Sequence, residues 1–217
     1  MKIYQASIVN SLISFYGDLL YPDSDNSIYE HLNLLSIKMF EGLWQKEECL
    51  YTQINNYNPD FLGHPASSLK DKEFSLEECK HTTSNEYGFK SWEEVKQLEK
   101  TKYNIEFEQC VDAIISGNLD FLKMRLEAKP SLINDQSQYG HKATLLHYIA
   151  SNGVELWRQQ VPHNLAEISK LLVHFGADKE AKMNVYDGQF TTMELLTTSA
   201  HPFAAGMGGS IIEILES

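Results

Sequence analysis

Apolar residues recur at three- and four-residue intervals along most of the chain, and no stretch alternates long enough to predict a strand, so the pattern predicts an all-α protein. Ile8, Leu12, Phe15 and Leu19 form the first helical stripe, and Pro22-Asp23-Ser24-Asp25-Asn26 stops it. Ser27 with Glu30 reads as a capping box, in which hydroxyl and carboxylate each accept one of the unpaired N–H groups at a helix start. It opens a segment with Leu32, Leu35, Met39, Leu43 and Trp44 on its apolar side and Gly42 as a candidate break. Leu50 and Ile54 continue the pattern until Asn55-Asn56-Tyr57-Asn58-Pro59 ends it, and Gly63-His64-Pro65 extends the loop. A second capping box, Ser75 with Glu78, starts a helix that Tyr87 ends. Gly88 reverses the chain, Ser91 with Glu94 forms a further box, and Phe89 and Trp92 wedge the joint by packing, a role preferred over ligand binding because aromatics bury large areas. Residues 1–100 thus read as an all-helical N-terminal region, with 96–104 its most linker-like end.

Beyond residue 100 the stripes come in pairs. Phe107, Cys110, Val111, Ile114 and Ile115 precede Gly117, and Leu119, Leu122 and Leu126 precede Lys129-Pro130. In the next pair, Thr144 caps a short helix with Leu146, Ile149 and Ala150 inward and Gly153 at its end, where a positive φ is needed. Ile168, Leu171, Leu172 and Phe175 then fall on one face ahead of Gly176. Asp187-Gly188 reads as a hairpin turn, Thr191 repeats Thr144, Met193 and Leu196 point inward, and Ile211, Ile212, Ile214 and Leu215 open a last helix. Hairpin-like turns are expected over 135–142 and 183–189.

The segments Ala143-Thr-Leu-Leu-His-Tyr-Ile-Ala-Ser-Asn-Gly153 and Ala166-Glu-Ile-Ser-Lys-Leu-Leu-Val-His-Phe-Gly-Ala-Asp178 resemble the two halves of an ankyrin repeat. Gly117 and Gly153 lie 36 residues apart, close to the family period of roughly 33. Leu145 stands where the family usually has Pro, and Glu194 where it has the motif His. The resemblance implies a stack of about three units, 105–136, 137–183 and 184–217, whose end falls inside a repeat, so that either the chain is a fragment or its last unit is degenerate. It also implies that His147 hydrogen-bonds within and between repeats. Ser84-Asn-Glu-Tyr-Gly-Phe-Lys-Ser-Trp92 is similar to the junction that precedes the repeats in a group of bacterial ankyrin proteins, and Thr198-Ser-Ala-His-Pro-Phe-Ala-Ala-Gly206 to a motif in their third repeat.

With 217 residues, 42% hydrophobic and 22% charged, the chain has globular composition, and its net charge of −12 disfavours a nucleic-acid partner, whose phosphates require Lys and Arg. A basic protein partner is more compatible. Cys49, Cys79 and Cys110 read as small buried residues in a reducing compartment. The N-terminal run, interrupted by Asn10, Ser11 and Ser14, makes a poor signal peptide and no membrane span, so a cytoplasmic location is expected. No phosphate loop, dinucleotide fingerprint, nucleophile elbow, His-Glu-x-x-His or Cys-x-x-Cys occurs. The Asp23, Asp25, Ser27 alternation lacks the glycine and terminal Glu of a calcium loop, and Gly206-Met-Gly-Gly-Ser210 reads as a flexible turn. No cofactor is expected.

The spacing carries one more signal. The middle unit holds about eleven extra residues between its two helices compared with the first, and the third carries a similar insertion at His201–Ser210. Both are expected on one rim, where Trp157, Arg158, His163, His201 and Phe203 are the candidate protein-binding residues. The alternative, that Trp157 and Phe203 fold back over helix ends, weighs slightly more. The resemblance implies a non-catalytic interaction module. The competing readings are a dedicated inhibitor or immunity-type partner of one target, and a hydrolase or metal-dependent enzyme using His163 and His201 with an acid such as Glu155.

Overall fold

The computed structural model describes residues 3–185 and 187–217. Most of the described chain is helical, and its strands are three or four residues long. It forms two compact units, one of Ser7–Tyr103 and one joining the strand Ile3–Gln5 to Asn104–Ser217.

In the first unit α1 (Ser7–Tyr16), α2 (Ile28–Trp44), α3 (Glu48–Tyr57), α4 (Ala66–Leu69), α5 (Leu76–Glu86) and α6 (Trp92–Lys96) follow in order, with α3, α5 and α6 all against α2. Two expected capping boxes form. Ser27 Oγ accepts the Glu30 N–H at 3.2 Å while the Glu30 carboxylate accepts the Ser27 N–H at 2.7 Å, and Ser75 with Glu78 repeats the exchange at 3.2 and 2.8 Å. The third does not form, because the Glu94 carboxylate accepts the Lys90 N–H and the Ser91 side chain makes no cap bond. Gly88 takes φ +76°, and Phe89 and Trp92 are buried at the joint.

Three further expectations for this unit need correction. The buried edge of α1 is Val9, Leu12 and Tyr16, turned from the expected stripe because Tyr16 is drawn inward to donate to Gln53, whose amide donates to buried Glu86. Trp44, expected on the core side of α2, is 77% exposed. Gly42 does not divide α2; it permits close approach, since a Cβ there would meet the Phe15 ring and lie 2.6 Å from Leu50 Cδ1. Interior polarity is nonetheless matched. His31 Nε2 lies 2.7 Å from the Leu19 carbonyl and must donate to it, so Nδ1 accepts from the Tyr103 hydroxyl at 2.7 Å.

In the second unit β1 (Ile3–Gln5) corrects the expectation that the N-terminal segment is wholly helical. The unit continues with α7 (Ile105–Ser116) and α8 (Leu119–Ala128), packed together and separated by Gly117 at φ +78°. Asn104 and Asn118 cap them through side-chain oxygens that accept from Phe107 and Phe121 N–H. A hairpin-like turn follows, in which the Ser137 N–H donates to the Ala143 carbonyl at 2.7 Å and Gln136 bridges Thr144. The next element, Leu145–Ala150, is a 3-10 segment, buried on every side rather than on one stripe. An inserted stretch then holds a short 3-10 turn, Leu156–Arg158, and β2 (Gln160–Pro162), which pairs antiparallel with β1, Tyr4 opposite Val161. After it come α9 (Leu165–His174), the hairpin β3 (Lys182–Val185) and β4 (Gly188–Thr191), then α10 (Thr192–Thr198), α11 (His201–Ala204) and α12 (Gly208–Glu216).

The second hairpin lies where it was expected, with a shifted turn. Val185 pairs with Gly188, so Gly188 begins the returning strand, and Tyr186, like Met1 and Lys2, lies outside the described residues. Three of the five residues of the glycine-rich run expected as a turn are helical, because α12 begins at Gly208.

One contiguous core joins the helix pairs, running from Phe107, Ile114 and Leu122 through Leu146, Ile149, Ile168 and Leu172 to Leu196, Ile211 and Leu215. Gly153 is constrained twice over, by φ +76° and by a would-be Cβ only 2.6 Å from Val185 Cγ2. Such continuity predicts a hierarchy along α9. Leu172, fully buried, loses about 2 to 5 kcal/mol on truncation to Ala, and half-buried Leu171 loses less. Urea unfolding of the two variants tests this, and a Leu172→Ala loss below about 0.5 kcal/mol would show that α9 does not face the core.

Candidate functional site

The inserted stretch between the 3-10 segment Leu145–Ala150 and α9 places its candidate residues in two environments. Arg158 is 0% and Trp157 2% exposed, so neither side chain offers the surface expected of it. Arg158 reaches back to α7, where Nη2 lies 2.7 Å from Glu108 Oε2 and 3.7 Å from Asp112 Oδ1, while Nη1 lies 3.2 Å from Glu155 Oε1. Its guanidinium carbon sits 4.7 Å from the centre of the Trp157 ring and 5.8 Å from that of Tyr148, so both aromatics shield the charge and interact with it through their π faces. His141 joins from the preceding turn. The Ala143 N–H donates to His141 Nδ1 at 3.0 Å, which leaves the proton on Nε2, 3.4 Å from Glu155 Oε1.

Burial and charge compete within this cluster. Burial pushes Glu108 upward despite Arg158, and it raises Asp112 as well. Burial also acts upward on Glu155, but Arg158 and then His141 outweigh it and hold that carboxyl below its ordinary range. Burial alone would lower Arg158; the carboxylates of Glu108 and Glu155 overcome it and hold the guanidinium firmly protonated. Glu155, the acid named for a hydrolase, is thus engaged by Arg158 and His141 rather than gathered with His163 and His201. Glu108, Asp112 and His141 are not recognisable as members of this cluster from the sequence alone. A carboxylate pair four residues apart beside the Phe107 and Val111 stripe was the available signal.

The other three candidates lie at the surface. His163 follows β2 and is exposed, His201 begins α11 and is half-buried, and Phe203 is 47% exposed. Helix α11 packs against β2, and the His201 ring lies 6.1 Å from that of Tyr4 on β1, so the two insertions meet on one side of the unit. Phe203 lies on Gly208, where a Cβ would fall 2.5 Å from its ring. The ring is therefore seated against the Gly208 backbone.

Behind the two hairpins the helix starts share one device with different residues. The Glu194 carboxylate accepts the Thr191 N–H at 2.8 Å, and His147 Nδ1 accepts the Thr144 N–H at 3.0 Å. His147 Nε2 then donates to the Ala181 carbonyl at 3.1 Å. Burial lowers the His147 pKa to about 4.

Among the described residues no group of three or more His, Cys, Asp or Glu is arranged to hold a metal ion, and no helix is long and apolar enough to cross a membrane. The three cysteines are buried, and burial raises Cys79 to about 12 and Cys110 to about 11, far from thiolate reactivity. Neither a scan against protein-family models nor searches of curated proteins and of solved structures finds a match to this chain.

Two outcomes follow for stability. Arg158→Ala leaves Glu108 and Glu155 buried without their cation and costs about 3 to 5 kcal/mol at pH 7; the loss shrinks at pH 5, where protonation relieves the stranded carboxylates. Equal losses at both pH values, measured by denaturant titration, would contradict the ion-cluster account. Because the folded His147 pKa lies below the unfolded value of roughly 6.5, its contribution is complete above that value. It is lost as pH falls toward about 4, on the order of 3 kcal/mol in all. His147→Gln should flatten that part of the stability profile, and an unchanged profile would assign the acid sensitivity elsewhere.

Proposed function

We propose that Asn104–Ser217 is an ankyrin-type stack acting as a non-catalytic protein-binding module. The observation that carries the reading is the recurrence of one construction. Each of two antiparallel turns delivers the chain to a Thr whose backbone N–H is satisfied by the side chain three residues on, and the helices that follow share one core with their neighbours. Stacking of units that cannot bury their own apolar faces is the logic of such repeats. Their second product is a pair of insertions on one side, exposing His163 and Phe203. Bacterial ankyrin proteins with a Glu-Tyr-Gly-Phe-x-Ser-Trp junction remain the group this chain resembles.

Within this reading a narrower form is supported by charge. A net charge of −12 suits a dedicated inhibitor or immunity-type partner of one basic target, since complementary charge accelerates encounter. The same charge speaks against nucleic acid.

The test couples binding to turnover. A protein retained by the immobilised chain should bind more than about tenfold less tightly, roughly 1.4 kcal/mol, to a variant altered at the insertion side (His163→Ala/Phe203→Ala) or on the exposed face of β4 (Phe190→Ala), with an unchanged melting temperature. Ester, phosphodiester or glycoside hydrolysis by the purified chain, abolished by His163→Ala or His201→Ala, would replace the module with an enzyme.

A further inference from the structure

The insertion side has a property that neither its aromatic residues nor the net charge would indicate alone. Between Glu194 and Glu213 the chain carries no Asp, Glu, Lys or Arg, and the same holds between Arg158 and Glu167. In a chain that is 22% charged these are unusual intervals, and the fold brings them together through the packing of α11 on β2. Among the described residues their exposed positions are uncharged: Phe203, His163, Ala200, Ala204, Gly209 and Ser210, with Tyr4 of β1 (36% exposed) against the His201 ring. Phe203 is seated on Gly208, and open space lies beside Gly209. Aromatic content with depletion of charge is the composition of an interface core rather than of ordinary surface.

The charge of the molecule narrows what fits there. Two copies at −12 repel wherever their acidic surfaces face each other, and they meet without like-charge contact only through a face that carries no charge. A neutral face is also complementary to itself, which a two-fold contact requires because the same patch must serve on both partners. We propose that this charge-free face, centred on Phe203 and flanked by Tyr4, His163 and His201, is the contact surface of a homodimer. The proposal rests on reading the insertion side as a contact surface, and it names a second copy of this chain as the occupant.

Sedimentation velocity or light scattering of the full chain from about 1 to about 200 μM tests the proposal. The expected result is a dimer at pH 7.5 that salt does not weaken and that Phe203→Asp weakens at least about thirtyfold. Ala204→Glu places a charge on the same face without touching the seat on Gly208, and it should act likewise even where Phe203→Asp impairs folding. Phe190→Asp on β4 should leave the dimer intact. A chain that stays monomeric at the highest concentration overturns the proposal, as does a dimer indifferent to both charged variants. A monomer that retains a foreign protein through Phe203 refutes the second copy and leaves the binding-module reading standing. A Phe203-dependent dimer that retains nothing and hydrolyses a substrate does the reverse.

Discussion

A guanidinium with no solvent exposure governs the second unit. Arg158 cannot be stable in the interior unless its charge is met at close range, and the groups that meet it come from three places in the chain: Glu108 and Asp112 on α7, Glu155 three residues before it, and His141 through Glu155. Because truncating one member leaves the others buried and uncompensated, the cluster fixes where the inserted stretch lies. Trp157 is carried inward with it, stacked on the guanidinium. With Leu156–Arg158 committed to α7, the chain runs on into the buried strand β2, which packs on α7 and takes β1 as its partner strand. The net worth of such a cluster in stability is small, since desolvation offsets most of the attraction; its effect is on which arrangement is allowed.

The helix starts show how one structural need admits different chemistry. At Thr191 the acceptor three residues on is an exposed carboxylate; at Thr144 it is a buried imidazole. A carboxylate at the interior site would have to be desolvated, whereas a neutral imidazole accepts at Nδ1 and still has Nε2–H to donate to Ala181. Burial therefore accounts for His in the middle pair and exposure for Glu in the last. The ionisable side chain that holds the middle turn is also the one that acid displaces.

What could be read from the sequence were the features set by neighbours along the chain. The capping boxes at Ser27 and Ser75, the chain reversal at Gly88, the positive φ at Gly153 and the inward stripes of α7 and α8 follow from local periodicity and backbone chemistry, although Gly153 does not end the preceding element, which stops at Ala150 with Ser151 left-handed at φ +48°. The features that escaped depend on distant partners. β1 exists because β2 offers it an edge, and a three-residue strand carries no pattern of its own. Ser91 fails to cap because Glu94 finds the Lys90 N–H first. Trp157 and Arg158 have the composition of interface residues, and only the carboxylates of α7, some fifty positions upstream, decide that they point inward.

The two insertions therefore diverge in use although they lie together. The first spends its charged and largest aromatic residues on the interior and leaves His163 and neighbouring uncharged groups outside. The second contains no charge to bury and folds as the short α11, whose Phe203 sits against Gly208 and is 47% exposed. An ion cluster beneath and an uncharged surface above are linked by that division, since the buried Arg158 and Glu155 are the charges that would otherwise stand beside His163. Moving them inside leaves the outward residues of both insertions uncharged among those described.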